Sequence, residues 1–545
     1  MKSLLYIYKG VKRGTSLAIT AGIAVVLGGS LMLSSCNDYL EVYPENALPT
    51  DKYWSTKEDV EATLMAGYSY LRSSVTDYLI PWGELRAGCL KNRKNPPIQK
   101  FEIKTTTSIA NWSSMYKIVN TANLVLKNAS KARDNDDTYT EAAMNSHLCE
   151  AYWLRALAYF YIVRNWRDAP LFTEPFESDE NSYNAPQAPE ADIIAQIKAD
   201  LLAAIALDAA KEQFDTTWET KGRATKWALY ALMTDVLVWN QEFEAAIGYA
   251  DLILNSTSKV APSFINVPTH TAWFAIFNPG NSSESIYEVQ WSREKTNGSS
   301  AYQTNNLPVL FNDETDDGIY QYGDRMAKDI ANDVADIQTP YGTALSTINP
   351  EVYVRTKYGS AGANIDGYVS GRVICWKYVG GSSITEKRAD SYRDPNFIIY
   401  RVADIMLLKA EALAMRQMGN SNEDNKAALD IVNQIRQRTN LTAVTYHDGM
   451  SISTVLEYVL HERLMELAGE GKAWYDMLRM GRYKDPSGQV NFKQEFLIDN
   501  VTWYNESAKA TWITSVLNNE NAWYLPVYDS EIRANSLLEQ NPYYN

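Results

Sequence analysis

The chain has 545 residues, a formal net charge of −15, four cysteines and four histidines. An acidic surface argues against nucleic acid, whose phosphates demand clustered Lys and Arg, and against charge-driven attachment to anionic lipid. Tyrosine (36) and tryptophan (15) outnumber phenylalanine (13); a flat apolar face with a polar edge suits half-wet surfaces as well as helix packing.

In chain order, Lys2, Lys9, Lys12 and Arg13 lead into an apolar run over residues 17–33 that ends in Leu33-Ser34-Ser35-Cys36. Charged start, short apolar run and small residues make a secretory signal over residues 1–35. The cysteine that follows marks Cys36 as a lipidation site, so export ends in a lipid anchor. A membrane-spanning helix is the rival reading, but the run is short of the ~20 apolar residues a span needs and holds Thr20, Gly22, Gly28, Gly29 and Ser30. The leader has four cations and no acids, so its removal takes the remaining chain to −19.

Residues 36–50 lack helical period and read as a tether, and the body occupies residues 51–545. Helical units are expected at about 51–75, 110–165, 190–255 and 400–481. Asp51 is the expected first N-cap, with Val60, Leu64, Tyr68 and Leu71 on one face. Residues 78–108, with Pro81-Trp82-Gly83 and Pro96-Pro97, read as a loop that brings Trp82, Glu84 and Arg86 close together. The unit at 222–255 has about the 34-residue length of a tetratricopeptide repeat, with alanines where two helices approach. Similar pairs follow at 402–418 with 427–438, and at 453–467 with 473–481. Such pairs bury their apolar stripes only by stacking, which predicts a mainly all-α superhelix.

A loop-rich insert at about 260–396 interrupts them, with short strand-like runs at 285–291 and 372–379. Its aromatics, among them Trp273, Trp291, Tyr302, Tyr320, Tyr322 and Tyr341, argue against disorder.

Catalytic and metal motifs fall short. His461-Glu462-Arg463-Leu464-Met465 lacks the second histidine of a zinc protease, and Glu462, Glu466 and Glu470 with Arg463 and Arg479 read as a charge-paired brace between helices. Residues 313–318 have the acid density of a calcium loop, but Thr315 takes a ligand position and Asp324 replaces the bidentate glutamate. An acidic turn is the default there, with calcium the weaker reading and no other cofactor expected. No phosphate-binding glycine loop or nucleophile elbow occurs. Beyond Cys36, the cysteines Cys89, Cys149 and Cys375 form no metal spacing and read as buried thiols.

Several stretches together resemble the SusD/RagB family of nutrient-binding lipoproteins of Bacteroidetes. They are Cys36-Asn37-Asp38-Tyr39-Leu40, residues 112–126, Glu150-Ala151-Tyr152-Trp153-Leu154-Arg155, Gly222-Arg223-Ala224-Thr225, Tyr400-Arg401-Val402-Ala403-Asp404, residues 433–438 and 462–479, and Leu525-Pro526-Val527 through Asn541-Pro542-Tyr543. Departures are Arg167-Asp168-Ala169-Pro170 for a usual Gly-Asp-Val-Pro, Asp404 for Glu, and Lys472-Ala473-Trp474 for a usual Arg-Trp/Phe pairing. The resemblance implies a non-enzymatic, tetratricopeptide-like α-superhelix anchored by lipid at the outer-membrane surface. It further implies a lid on a SusC-like TonB-dependent transporter, handing over a glycan or, in some branches, a peptide. An aromatic-rich loop surface would hold the ligand, with Trp82, Arg86, Trp291, Tyr302, Tyr320 and Tyr322 as candidate contacts. A secreted lipoprotein glycosidase is the competing function, since carboxylate pairs are set in space and sequence leaves them open. A periplasmic solute receptor would need paired α/β lobes, which the helical periods do not support.

Overall fold

The computed structural model describes residues 53–94, 97–177, 184–295, 302–303, 306–311, 319–323, 325–326, 329, 375–380, 388, 394–439 and 441–545. The leader, Cys36, the tether, Asp51, Tyr341 and the acidic 313–318 turn lie outside these residues.

The helices used below are α1 (Lys57–Ser74), α2 (Ser113–Asn135), α3 (Glu141–Trp166), α4 (Glu190–Ala206), α5 (Lys226–Trp239), α6 (Phe243–Leu254), α7 (Val402–Arg416), α8 (Asn422–Arg438), α9 (Ile452–Glu466), α10 (Ala473–Gly481), α11 (Asp499–Tyr504) and α12 (Ala510–Leu517). From α1 to α7 each packs on the next, and α7, α8 and α9 pack on one another. The stack follows from the sequence: each helix has an apolar stripe that only a neighbour can cover.

Local signals set the starts. Thr56 caps α1, accepting from the Asp59 amide while Asp59 reaches back to the Thr56 N–H, a capping box that satisfies two end donors. Thr140, Thr225, Ser421 and Ser451 cap α3, α5, α8 and α9, each side-chain oxygen accepting one amide of the first turn. Buried polar ties then lock neighbours together. Arg155 on α3 pairs with Asp200 on α4 at 2.6 Å, and the Trp153 indole donates to the Ala228 carbonyl of α5 at 3.0 Å.

Among the described residues there are three two-stranded antiparallel sheets; the first two below fasten the insert to this body and the third lies within the insert. Strand β1 (Leu90–Asn92) pairs with β5 (Tyr320–Tyr322), β2 (Ser285–Val289) with β6 (Phe397–Arg401), and β3 (Ser292–Lys295) with β4 (Tyr302–Gln303). Beside the main core, Trp273, Phe274, Ile276, Phe277, Trp376 and Ile398 form a small second cluster.

Two expectations need correction. The strand-like run at 372–379 ends in a helical turn, Trp376–Val379, within its described part. The segment after α1 is no exposed loop, because the chain continues through two π-helical turns, Val75–Leu79 and Pro81–Leu85. The second turn presses on the Gly469–Gly471 loop so closely that a Cβ on Gly83 would stand 1.9 Å from the Gly471 carbonyl oxygen. That contact requires glycine.

Buried charge pairs do brace these helices, but with different partners than the sequence suggested: Glu466 and Glu470 pair with Arg401, Arg438 and Lys377, and Glu462 faces Arg436 at 3.6 Å. Arg401, fully buried, donates to Glu284 at 3.0 Å, to Glu466 at 2.7 Å and to Glu470 at 2.9 Å. Arg438 reaches Glu284 and Glu466, both at 2.5 Å, and Lys377 reaches Glu470 at 2.5 Å. Nearby, Arg463 bridges Asp404 and Asp476, and Arg479 bridges Asp476 and Glu411. Burial by itself would raise the Asp404 carboxyl, but Lys472 and Arg463 overcome it and hold the group below its usual range.

Glu84 behaves in the opposite way. Its Oε1 accepts from the Gly471 and Lys472 amides at 2.8 and 3.2 Å, yet burial pushes its carboxyl up to about 8. The folded protein therefore holds a proton that the unfolded chain has lost, so stability falls as pH rises from the ordinary carboxylate range through about 8. Glu84→Gln keeps the acceptor and removes the titration. Urea unfolding midpoints should decline less between mildly acidic and mildly alkaline pH in the variant than in wild type; parallel profiles would contradict this.

Candidate binding surface

The six residues singled out from sequence do not form one platform. Trp82 is fully buried, donates from its indole to the Ile109 carbonyl at 2.7 Å and packs edge-on to Trp166. Arg86 is also buried: it donates to the Trp523 carbonyl at 2.7 Å and to Asn165 at 3.0 Å, and stacks on Trp474. Its desolvation lowers the guanidinium to about 10. Tyr320 and Tyr322 are buried in β5. No sugar ring can stack on these four side chains in this arrangement, which corrects the expectation for them. A buried aromatic with its polar edge satisfied has the same sequence signature as an exposed one. Trp291 is half-buried at the core edge, its backbone N–H donating to Asn396 at 3.1 Å. Tyr302 lies in β4, paired with β3.

A different aromatic surface lies beside β1 and β5. On α11, Val501 and Tyr504 face the core, which leaves Trp503 on the outer side, 51% exposed. Its indole N–H donates to Asp329 at 3.1 Å. The Arg325 guanidinium lies 4.7 Å from the ring centroid and donates to the Trp503 carbonyl at 2.7 Å. Glu506, just past α11, pairs with Lys91 of β1 at 3.2 Å and accepts from the Arg325 backbone N–H at 3.2 Å. Next to α11, α12 buries Ile513, Val516 and Leu517 and leaves Trp512 46% exposed, its indole N–H donating to the Lys100 carbonyl at 2.8 Å. The Asn505 amide donates to the Gln99 carbonyl at 2.6 Å, and Gln99 is bonded to Leu90 and Asn92 of β1. These bonds join β1, residues 97–101, α11 and α12 into one supported surface.

The chemistry suits stacking. An indole fixed at its polar edge keeps ring area open to an apolar ligand face, while Arg325, Asp329 and Lys91 offer donors and acceptors around it. Sequence reading missed Trp503 and Trp512, although a signal existed: each stands off the apolar stripe of its helix, among polar residues. Among the described residues no group of three or more His, Cys, Asp or Glu is placed to hold a metal ion, and no helix is long and apolar enough to cross a membrane.

Residues 346–544 match the model of the SusD family, and residues 38–237 match a model described as starch-binding associating with outer membrane. The chain belongs to the SusD/RagB family. A SusD-like protein of Formosa agariphila is 26% identical over 530 residues, covering 90% of this chain and 96% of its own. A SusD-like protein of Bacteroides ovatus is 24% identical, covering 95% and 97%. Among solved structures, a SusD superfamily protein of Bacteroides thetaiotaomicron superposes with a TM-score of 0.68 at 21% identity, covering 90% of this chain and 99% of that one. A laminarin-binding SusD-like protein gives 0.62 at 20% identity, covering 90% and 99%. The fold is thus the mainly helical SusD fold, and the family description is one of binding rather than catalysis.

Proposed function

We propose that this protein captures a glycan at the cell surface and passes it to a SusC-like TonB-dependent transporter. Residues 1–35 direct export, Cys36 carries the lipid in the outer membrane, and residues 36–50 tether the body. The carrying observation is Trp503, a half-open indole pinned at its edge by Asp329 and flanked by Arg325. The starch-binding family description and the laminarin-binding structural neighbour support a glycan as the ligand. A pyranose has an apolar C–H face and a rim of hydroxyls, which an indole with a guanidinium and carboxylate beside it can hold. Stacking of this kind needs no cofactor. Holding ligand beside the pore raises its effective concentration there, so a modest affinity suffices for transfer.

Incubating the purified protein with a polysaccharide panel separates capture from hydrolysis. Depletion of one polysaccharide without new reducing ends is the expected result, and appearance of reducing ends would overturn the reading. Separately, Cys36→Ala is expected to abolish surface labelling of intact cells; undiminished labelling would contradict the lipid anchor.

A further inference from the structure

A cleft of about 410 Å³ opens at the C-terminal end of α3, and none of Trp503, Trp512, Arg325, Asp329 and Lys91 lines it. Its walls are the end of α3 (Trp166, Arg167 and Asp168), the segment before α4 (including Gln187) and the C-terminal segments around Tyr524 and Asn541. The volume falls within the range of about 300–1,000 Å³ common for small-molecule sites.

The walls are braced independently of any ligand. Leu525 N–H donates to the Asn165 carbonyl at 2.7 Å, and the Trp166 indole to the Pro526 carbonyl at 2.9 Å. Gln187 exchanges two hydrogen bonds with the Glu539 backbone, at 2.7 and 3.0 Å. Asn541 donates to the Asn521 carbonyl at 2.9 Å.

Against this satisfied frame, the Tyr524 hydroxyl stands out. Tyr524 lines the cleft and is only 4% exposed, yet among the described residues its hydroxyl takes no hydrogen-bond partner. It is not sealed off either, for it keeps accessible surface that the cleft supplies. Burial pushes this phenol up to about 12, so it stays protonated and able to donate. A second irregularity lies beside it. Arg167 closes α3 at φ 65°, on the positive-φ side that non-glycine residues rarely adopt. This backbone places its guanidinium 5.7 Å from the Tyr524 ring centroid and in a salt bridge with Asp168 at 2.8 Å.

Charge decides the ligand class. Arg167 is matched by Asp168, and Arg482, the other cation acting on Tyr524, is matched by Glu190 at 2.6 Å. An anion entering the cleft finds no unmatched cation, and the remaining lining charge, Glu539, is solvent-exposed and tied to Gln187 only through its backbone. A neutral ligand rich in hydroxyls can instead bond to the Tyr524 hydroxyl and the open edges of the Arg167–Asp168 pair, with its C–H face against Pro186, Pro189 and Leu537. We infer that this cleft is a second saccharide site, taking a neutral mono- or disaccharide unit, separate from the Trp503 surface and not dependent on the function assigned to it.

Saturation-transfer NMR with maltose, lactose and laminaribiose at millimolar concentration tests this on Trp503→Ala protein, in which the first surface is disabled. At least one disaccharide should still bind saturably. Adding Tyr524→Phe, which removes only an unpartnered hydroxyl and should leave the melting temperature unchanged, should weaken that binding roughly five- to tenfold. Arg167→Gly, which suits the positive-φ backbone and deletes the guanidinium, should weaken it similarly without loss of stability. Binding unaffected by both substitutions, or no binding by any of the three disaccharides, overturns the inference. Failure of the Trp503 surface would register separately, as polysaccharide capture by the otherwise wild-type protein that Trp503→Ala leaves intact.

Discussion

Arg401→Ala is expected to leave little soluble folded protein. Arg401 closes a fully buried set in which three cations, Arg401, Arg438 and Lys377, face three carboxylates, Glu284, Glu466 and Glu470. These residues come from the insert, the end of β6, the end of α8, the end of α9 and the loop after it, so the set joins the helical stack to the insert. Removing Arg401 leaves one carboxylate in excess where no water can reach it. Such an uncompensated buried charge costs about 3–5 kcal/mol, a large part of the stability of a typical domain. Soluble yield and thermal melting of Arg401→Ala check this, with Arg401→Met/Glu470→Gln as the comparison because it removes a charge of each sign. A single variant melting within a few degrees of wild type would contradict the account, and so would a double variant no better than the single.

Trp503→Ala should produce the largest functional loss without comparable damage to the fold. The indole is half exposed and its partners Arg325 and Asp329 are surface groups, so truncation removes mainly ligand-facing area. An aromatic anchor of this kind is worth about 2 kcal/mol, roughly thirtyfold in affinity. Isothermal titration with the polysaccharide identified by the panel would read that factor directly, while the melting temperature stays near wild type. Trp503→Phe should recover part of the affinity, since a smaller ring still stacks but cannot donate to Asp329.

The helical stack was legible because its cause is local. Periodic apolar residues placed α9 at 453–467 against an observed Ile452–Glu466, and α10 at its observed bounds. The brace around Glu466 was also legible as structural, since charges at helical spacing in an apolar stretch must be paired. Its main partners were not, because Arg401, Arg438 and Glu284 reach it only through the tertiary fold. Pro81-Trp82-Gly83 misled for the same reason. Proline and glycine read as a loop, but the fit of Gly83 against Gly471, from the far end of the chain, turns that segment into a buried π-helical turn. Whether a tryptophan is core or platform depends on what covers it. Trp82 is covered by Tyr78, Tyr161 and Trp166, whereas Trp503, off the apolar side of a short helix, is not.

Hydroxyl-radical footprinting with and without bound polysaccharide tests the location of capture most directly. Trp503 and Trp218 have nearly equal exposure, 51% and 55%, so both should oxidise readily in the free protein and each controls for the other. Trp503 should be protected by the ligand while Trp218, on the short helix Thr217–Gly222, oxidises at an unchanged rate. Protection of Trp218 with Trp503 left fully reactive would place the ligand elsewhere and contradict the assignment of this surface.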